Sequence, residues 1–121
     1  MWDGINRRRF PRINYPCYIR VRKKQNLLEF LTKTENISCG GIAVNLPKNL
    51  GLFEEVRLKM DLKDSQLLVE CDGTIVWVVK NTDTKDDKDG TFDTGIEFKS
   101  LKKNDETRIE AIVQSLIKDE E

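Results

Sequence analysis

From Val56 to Leu62 every second residue is apolar, with Val56, Leu58, Met60 and Leu62 alternating with Arg57, Lys59 and Asp61. A run of period 2 reads as a strand with one buried and one wet face, and such a strand needs neighbours to complete its hydrogen bonds. The neighbours are visible in the same chain. Cys17, Ile19 and Val21 alternate with Tyr18, Arg20 and Arg22, and Ile42, Val44 and Leu46 with Ala43 and Asn45. A run over about 27–37 opens on Leu27-Leu28-Glu29-Phe30-Leu31 and turns polar through Thr32 to Asn36, which predicts that it leaves the core. A long strand over about 66–80 places Leu67, Val69, Cys71, Ile75, Trp77 and Val79 in one phase, which assigns Trp77 to the core or wall. Gly73 within it predicts a bulge or bend. The last strand sets Phe92, Thr94, Ile96 and Phe98 opposite Asp93, Gly95 and Glu97.

Turn chemistry separates these runs: Ser38-Cys39-Gly40-Gly41, Pro47 to Gly51, Asp64-Ser65, and the polar stretch from Asn81 to Gly90, read as a mobile hairpin loop. The period then changes. Ile109, Ile112, Val113, Leu116 and Ile117 recur as one stripe of a helix, with Asn104 as the expected N-cap and Asp105 and Glu106 where the helix dipole favours acids. The pattern predicts a mainly β fold, a small six-stranded antiparallel β-barrel with a C-terminal α-helix. Residues 1–16 form a basic N-terminal arm, and 17–121 a single barrel domain with its helix from about 104. So small a barrel has little room inside, which sends any ligand to the outer surface or a rim.

Charge is distributed unevenly. The 121 residues carry 21 basic and 21 acidic groups, yet residues 1–24 hold eight basic residues against Asp3 alone, a net +7 that leaves −7 for the remainder. The chain therefore begins as a ready site for an anion. There is no histidine, and Cys17, Cys39 and Cys71 lie too far apart for zinc-ligand spacing. An odd, scattered set of cysteines suits reduced thiols in the cytoplasm. No run of apolar residues is long enough to insert into a membrane, and no signal-peptide core opens the chain. Nothing among the plentiful carboxylates forms an acid–base or nucleophile constellation, so no enzyme activity and no cofactor are expected.

Two segments could carry chemistry: Arg7-Arg8-Arg9-Phe10-Pro11-Arg12 and Asn36-Ile37-Ser38-Cys39-Gly40-Gly41. Guanidinium groups bond phosphate or the O6/N7 edge of guanine in a fork and stack on bases. Asn36 and Ser38 add short polar donors and acceptors, and Gly40 and Gly41 let a ring approach bare backbone. Taken singly, the first segment is an ordinary solvated basic arm and the second an ordinary turn.

Taken together, in this order, they resemble the PilZ domain family, whose signature is Arg-Arg-x-x-x-Arg followed some two dozen residues later by Asp/Asn-x-Ser-x-x-Gly. The similarity extends through Trp77, Thr94-Gly95-Ile96-Glu97-Phe98 and the terminal helix. The resemblance implies a barrel of the split type and a bacterial receptor for cyclic di-GMP. It assigns Arg7, Arg8 and Arg12 to phosphates and guanine, and Asn36, Ser38 and Gly41 to a guanine edge, with Gly40 beside them. Many relatives carry Asp at the position of Asn36; the amide here removes a charged acceptor for guanine. Arg9 has no fixed role in the family. The expected partners are cyclic di-GMP and a downstream protein that reads the surface changed when ligand orders the arginine arm. Two alternatives are a nucleic-acid binding barrel and a PilZ interaction module that binds no nucleotide. The net acidic body and the lack of aromatic residues interleaved with basic ones argue against nucleic acid.

Overall fold

The computed structural model describes residues 13–25, 28–64, 66–81 and 90–120. Six strands form a closed antiparallel barrel: β1 (Tyr18–Lys23), β2 (Glu29–Ile37), β3 (Gly41–Leu46), β4 (Glu55–Met60), β5 (Val69–Asn81) and β6 (Thr91–Phe98). A helix, α1 (Lys103–Glu120), follows. Around the barrel the order is β1-β2-β3-β6-β5-β4, so the first and fourth strands close the ring. Closure removes the sheet edges that a lone amphipathic strand would expose.

The alternation seen in the sequence is the inside–outside alternation of the barrel. Ile19 and Val21 of β1, Ile42, Val44 and Leu46 of β3, and Val56, Leu58 and Met60 of β4 all face the core. Ile109 and Val113 of α1 belong to the same core, with Ile112, Leu116 and Ile117 packed partly against it. The helix is fastened by Arg108. Its guanidinium donates to both carboxylate oxygens of Asp64 at 2.8 Å, to Asp105 at 2.9 Å and to the Leu67 carbonyl at 2.8 Å.

Four expectations need correction. The polar end of β2 leaves the core at Lys33 and Glu35 but not at Thr34, which is 3% exposed because its hydroxyl accepts the Cys17 N–H at 3.0 Å and donates to the Tyr15 carbonyl at 2.7 Å. Hydrogen bonds that complete on both sides make a buried hydroxyl tolerable. The long strand starts at Val69, leaving Leu67 87% exposed. Gly73 pairs regularly with Val56 and Phe98, and the irregularity lies instead between Ile75 and Trp77. Gly73 is small for another reason, since a Cβ there would stand 2.6 Å from the Ile96 side chain and 3.2 Å from that of Leu58. Finally, α1 starts at Lys103, so Asn104 lies within its first turn rather than ahead of it. The hairpin loop expected over Asn81 to Gly90 falls, for 82–89, outside the described residues.

Candidate functional site

Two strands carry an extra residue, and both irregularities border the same row of the sheet. β2 shifts register between Thr34 and Asn36, and β5 between Ile75 and Trp77. A bulge inserts one residue and re-aims the side chains beyond it. Thr34 pairs with Val44 inside the barrel, the extra Glu35 is taken up, and Asn36 then pairs with Ala43 on the outer face, where Ala43 is still only 3% exposed. On β5 the bulge turns Trp77 outward opposite Gly95, buries part of Val78 and leaves Val79 56% exposed. The shared phase of Trp77 with Ile75 is thereby broken, and of the core or wall expected for Trp77 the structure gives the wall. Ala43 also pairs with Gly95, so Asn36, Ala43, Gly95 and Trp77 form one continuous row across β2, β3, β6 and β5.

That row is an amide at one end, an indole at the other and almost no side chain between. Gly95 is the seat of the indole, since a Cβ built on it would overlap the ring atoms of Trp77. The outer wall is therefore flat here, with an aromatic ring laid across it.

Beside the row lies the β2–β3 turn. The Ser38 hydroxyl accepts the N–H groups of Gly40 at 3.2 Å and Gly41 at 3.3 Å and donates to the Gly41 carbonyl at 3.3 Å. The Ser38 N–H donates to the same carbonyl at 2.9 Å. Ser38 thus organises its own turn. Gly40 is tied to the next strand through its carbonyl, which accepts the Phe98 N–H at 3.0 Å. Gly41 has to be glycine for the barrel itself, since a Cβ would overlap the Ile96 carbonyl oxygen and stand 3.2 Å from the Glu97 Cα. Cys39, half-buried in the turn, has its thiol pKa pushed up by burial and by Glu110 and Glu106 of α1, which makes it a poor nucleophile.

The described chain enters at this place. Ile13 bridges to Ile37, with backbone hydrogen bonds of 3.1 and 2.9 Å, between Asn36 and Ser38 in sequence. Within the stretch 1–16 assigned to the arm, Ile13 is thus a buried anchor, and the Tyr15 hydroxyl donates to the Leu62 carbonyl at 2.6 Å. Arg7, Arg8 and Arg12 lie outside the described residues. The structure therefore gathers Asn36, Ser38, Gly40 and Gly41 at one corner of the outer wall.

Sequence reasoning passes over the acids of this wall. Asn45 Nδ2 donates to Asp93 Oδ1 at 2.7 Å, and partial burial together with Asp93 holds the Glu35 carboxyl above its usual pKa. The sequence signal for this row is Gly95 within an otherwise regular strand; nothing marks the two bulges. Among the described residues no group of His, Cys, Asp and Glu could hold a metal ion, and no helix is long and apolar enough to cross a membrane.

The family model described as the PilZ domain matches residues 6–115. No curated protein sequence matches the chain. Several solved structures share its fold. The Bacillus subtilis inhibitor of motility MotI/DgrA superposes with a TM-score of 0.77 at 18% identity, over 95% of this chain and 53% of that one. The K. pneumonia MrkH complex with c-di-GMP gives 0.74 at 24% identity, over 93% and 53%. The PilZ domain of Escherichia coli YcgR, with c-di-GMP, gives 0.70 at 18% identity, over 93% of both chains. The chain thus spans about half the length of the first two proteins and nearly all of the third.

Proposed function

Because this chain belongs to the PilZ domain family, we propose that it is a cyclic di-GMP receptor whose ligand lies on the outer wall between the arginine arm and the β2–β3 turn. The observation that carries this reading is the family match, which spans both motifs. A suitable surface lies beside the second motif, where the row from Asn36 to Trp77 offers an amide for a guanine edge and a half-exposed ring system for stacking. Arg12 is the covalent neighbour of Ile13, which is bonded to Ile37. The last arginine of the first motif is therefore one peptide bond from a residue that is hydrogen-bonded within the second.

In this reading Arg7, Arg8 and Arg12 grip the phosphates and guanine, and Asn36, Ser38, Gly40 and Gly41 form the edge that the base meets. The Ser38 hydroxyl already serves three partners within its turn, so its contribution is a rigid corner. Each forked arginine contact is worth about 1–3 kcal/mol, while ordering one backbone residue costs about 1–2 kcal/mol. Several contacts have to form together, and that makes ligand binding and ordering of the arm one event. The protein performs no catalytic step, needs no cofactor, acts in the cytoplasm and reports the nucleotide to a downstream protein.

Titration calorimetry tests this. Cyclic di-GMP is expected to bind and to be preferred over cyclic di-AMP and GMP, and Arg8→Ala and Arg12→Ala should each weaken binding at least tenfold with unchanged melting of the free protein. Equal binding of cyclic di-AMP would remove guanine recognition, and no heat with cyclic di-GMP would remove the receptor reading.

A further inference from the structure

The wall made by β2, β1 and β4 shares only β2 with the candidate nucleotide face. Its register is regular, and its outward positions are Glu29, Leu31 and Lys33 on β2, Tyr18, Arg20 and Arg22 on β1, and Glu55, Arg57 and Lys59 on β4. Arg20 pairs with Leu31 on one side and Lys59 on the other, and Tyr18 pairs with Lys33. A shallow depression there is lined by Tyr18, Arg20, Leu31, Lys59, Asp61 and Leu68. Tyr18 is 54% exposed, Leu31 65% and Leu68 46%, with Leu67 projecting beside Leu68.

Large apolar side chains gathered on the outside of a closed barrel serve no packing purpose within the domain, and contiguous ones mark contact surfaces. Among the outward charges of the three strands, five are basic, Arg20, Arg22, Lys33, Arg57 and Lys59, and two acidic, Glu29 and Glu55, with Glu70 of β5 opposite Lys59. Lys33 stands over the Tyr18 ring, 5.1 Å from its centroid, and neither Lys33 nor Lys59 has an ion pair among the described residues. Arg20 meets Glu29 at 3.8 Å with both groups largely in water, a contact that holds it weakly. Asp61 is the carboxylate within the depression. This cationic surplus sits on a chain whose residues beyond 24 are net acidic.

We propose that this wall is a docking surface for an acidic segment of a partner protein, whose apolar anchors cover Tyr18, Leu31 and Leu68 while its carboxylates pair with Arg20, Lys33 and Lys59. Charge complementarity selects that occupant. A second copy meeting the wall by two-fold symmetry would set these cations against themselves. Nucleic acid would find cations but mainly aliphatic side chains, which give bases little to stack on. Tyrosine and arginine at the centre of an apolar patch are the residues that carry binding energy in protein interfaces, and opposed charge sets orientation and association rate. Nucleotide and partner then occupy different walls and can be bound at once.

The test places a photo-crosslinking amino acid at position 31 of the full chain in its native cells, with a second probe at Glu97 on the nucleotide side as control. The expected product at position 31 is a protein adduct that maps to a net acidic segment with at least two apolar residues and is absent with the Glu97 probe. The combined Arg20→Glu and Lys59→Glu variant should lower its yield at least tenfold. Circular dichroism, melting and cyclic di-GMP titration of that variant should match the parent, which separates this proposal from the receptor reading. Adducts with a second copy, with lipid, with nucleic acid or with a neutral or basic segment would overturn it, as would no adduct.

Discussion

The two walls of this barrel are built on different rules. Along β1, β2 and β4 the register is unbroken, every second side chain points outward, and those side chains are long. Across β2, β3, β6 and β5 the register breaks twice, and between the breaks the wall carries Ala43 and Gly95 instead of long side chains. The regular wall presents a textured surface of cations and leucines. The irregular one has a floor of small residues that is covered, Ala43 being 3% exposed and Gly95 buried under the indole. Bulges cost ladder hydrogen bonds, and here both re-aim residues toward the same row. The contrast locates small-molecule recognition on the wall where the backbone departs from regularity, and protein contact on the wall where it does not.

The sharpest way to break this contrast is at Gly41, where the turn and the barrel wall meet. Gly41→Ala drives a methyl group into the Ile96 carbonyl, and two backbones cannot both yield without loss of the β3–β6 ladder. A loss of about 3 kcal/mol is expected from denaturant unfolding of the free protein, against about 1 kcal/mol for Ser38→Ala, which removes hydrogen bonds but no space. A Gly41→Ala variant as stable as the parent would return Gly41 to a purely ligand-facing role.

The same contrast explains what can be read in advance. Where alternation is unbroken, as from Val56 to Leu62, the sequence states the inner and the outer face, and the structure agrees on both, with the strand itself ending at Met60. The phase of Ile75 does not extend to Trp77 because a phase argument carries across a strand only if no residue is inserted, and the bulge after Ile75 reverses everything beyond it. Gly73 draws attention that belongs two residues later; its lack of a side chain makes room for Ile96 and Leu58. Thr34 reads as solvent because a hydroxyl's partners, here Cys17 and Tyr15, are invisible until the strands are paired. The second motif is legible as residues and its corner position is not, since that depends on Ile13 bridging to Ile37.

A smaller effect is expected where the helix joins the regular side. Arg108 is 13% exposed and forks onto Asp64 while also holding Asp105, so Arg108→Ala leaves two carboxylates without their partner. A cost of about 2 kcal/mol follows. The hydrogen bonds from Arg108 are the main reason the Asp64 carboxyl lies below its usual pKa. A depressed carboxyl pKa stabilises the fold above the group's ordinary value, and that stability is lost as pH falls through the depressed one. The parent should therefore lose this stability on acidification, and the Arg108→Ala variant should show a flatter acid limb in melting temperature. Parallel limbs would show that the helix is held by its apolar stripe and not by this ion pair.

The smallest effect sharpens the comparison from the irregular side, where acids rather than cations border the row. Glu35 and Asp93 face each other there, and burial together with Asp93 raises the Glu35 pKa. A raised carboxyl pKa means that the folded chain holds the proton more tightly than the unfolded one, so stability falls as pH rises from the ordinary carboxylate range to the raised value. Ionised Glu35 also adds negative charge beside a wall proposed to receive two phosphates. Glu35 is exposed, so screening keeps both consequences small. Cyclic di-GMP should bind a few-fold more tightly as pH falls through the Glu35 titration, and the Glu35→Gln variant should bind like the acidic form at all pH values. Calorimetry at about pH 7.5 and at the ordinary Glu pKa of about 4.3, where a group of raised pKa is more than half protonated, reads the difference. A parent with no pH dependence, matched by unchanged binding in the Glu35→Gln variant, would mean that the phosphates lie away from β2 and nearer the Trp77 end of the row.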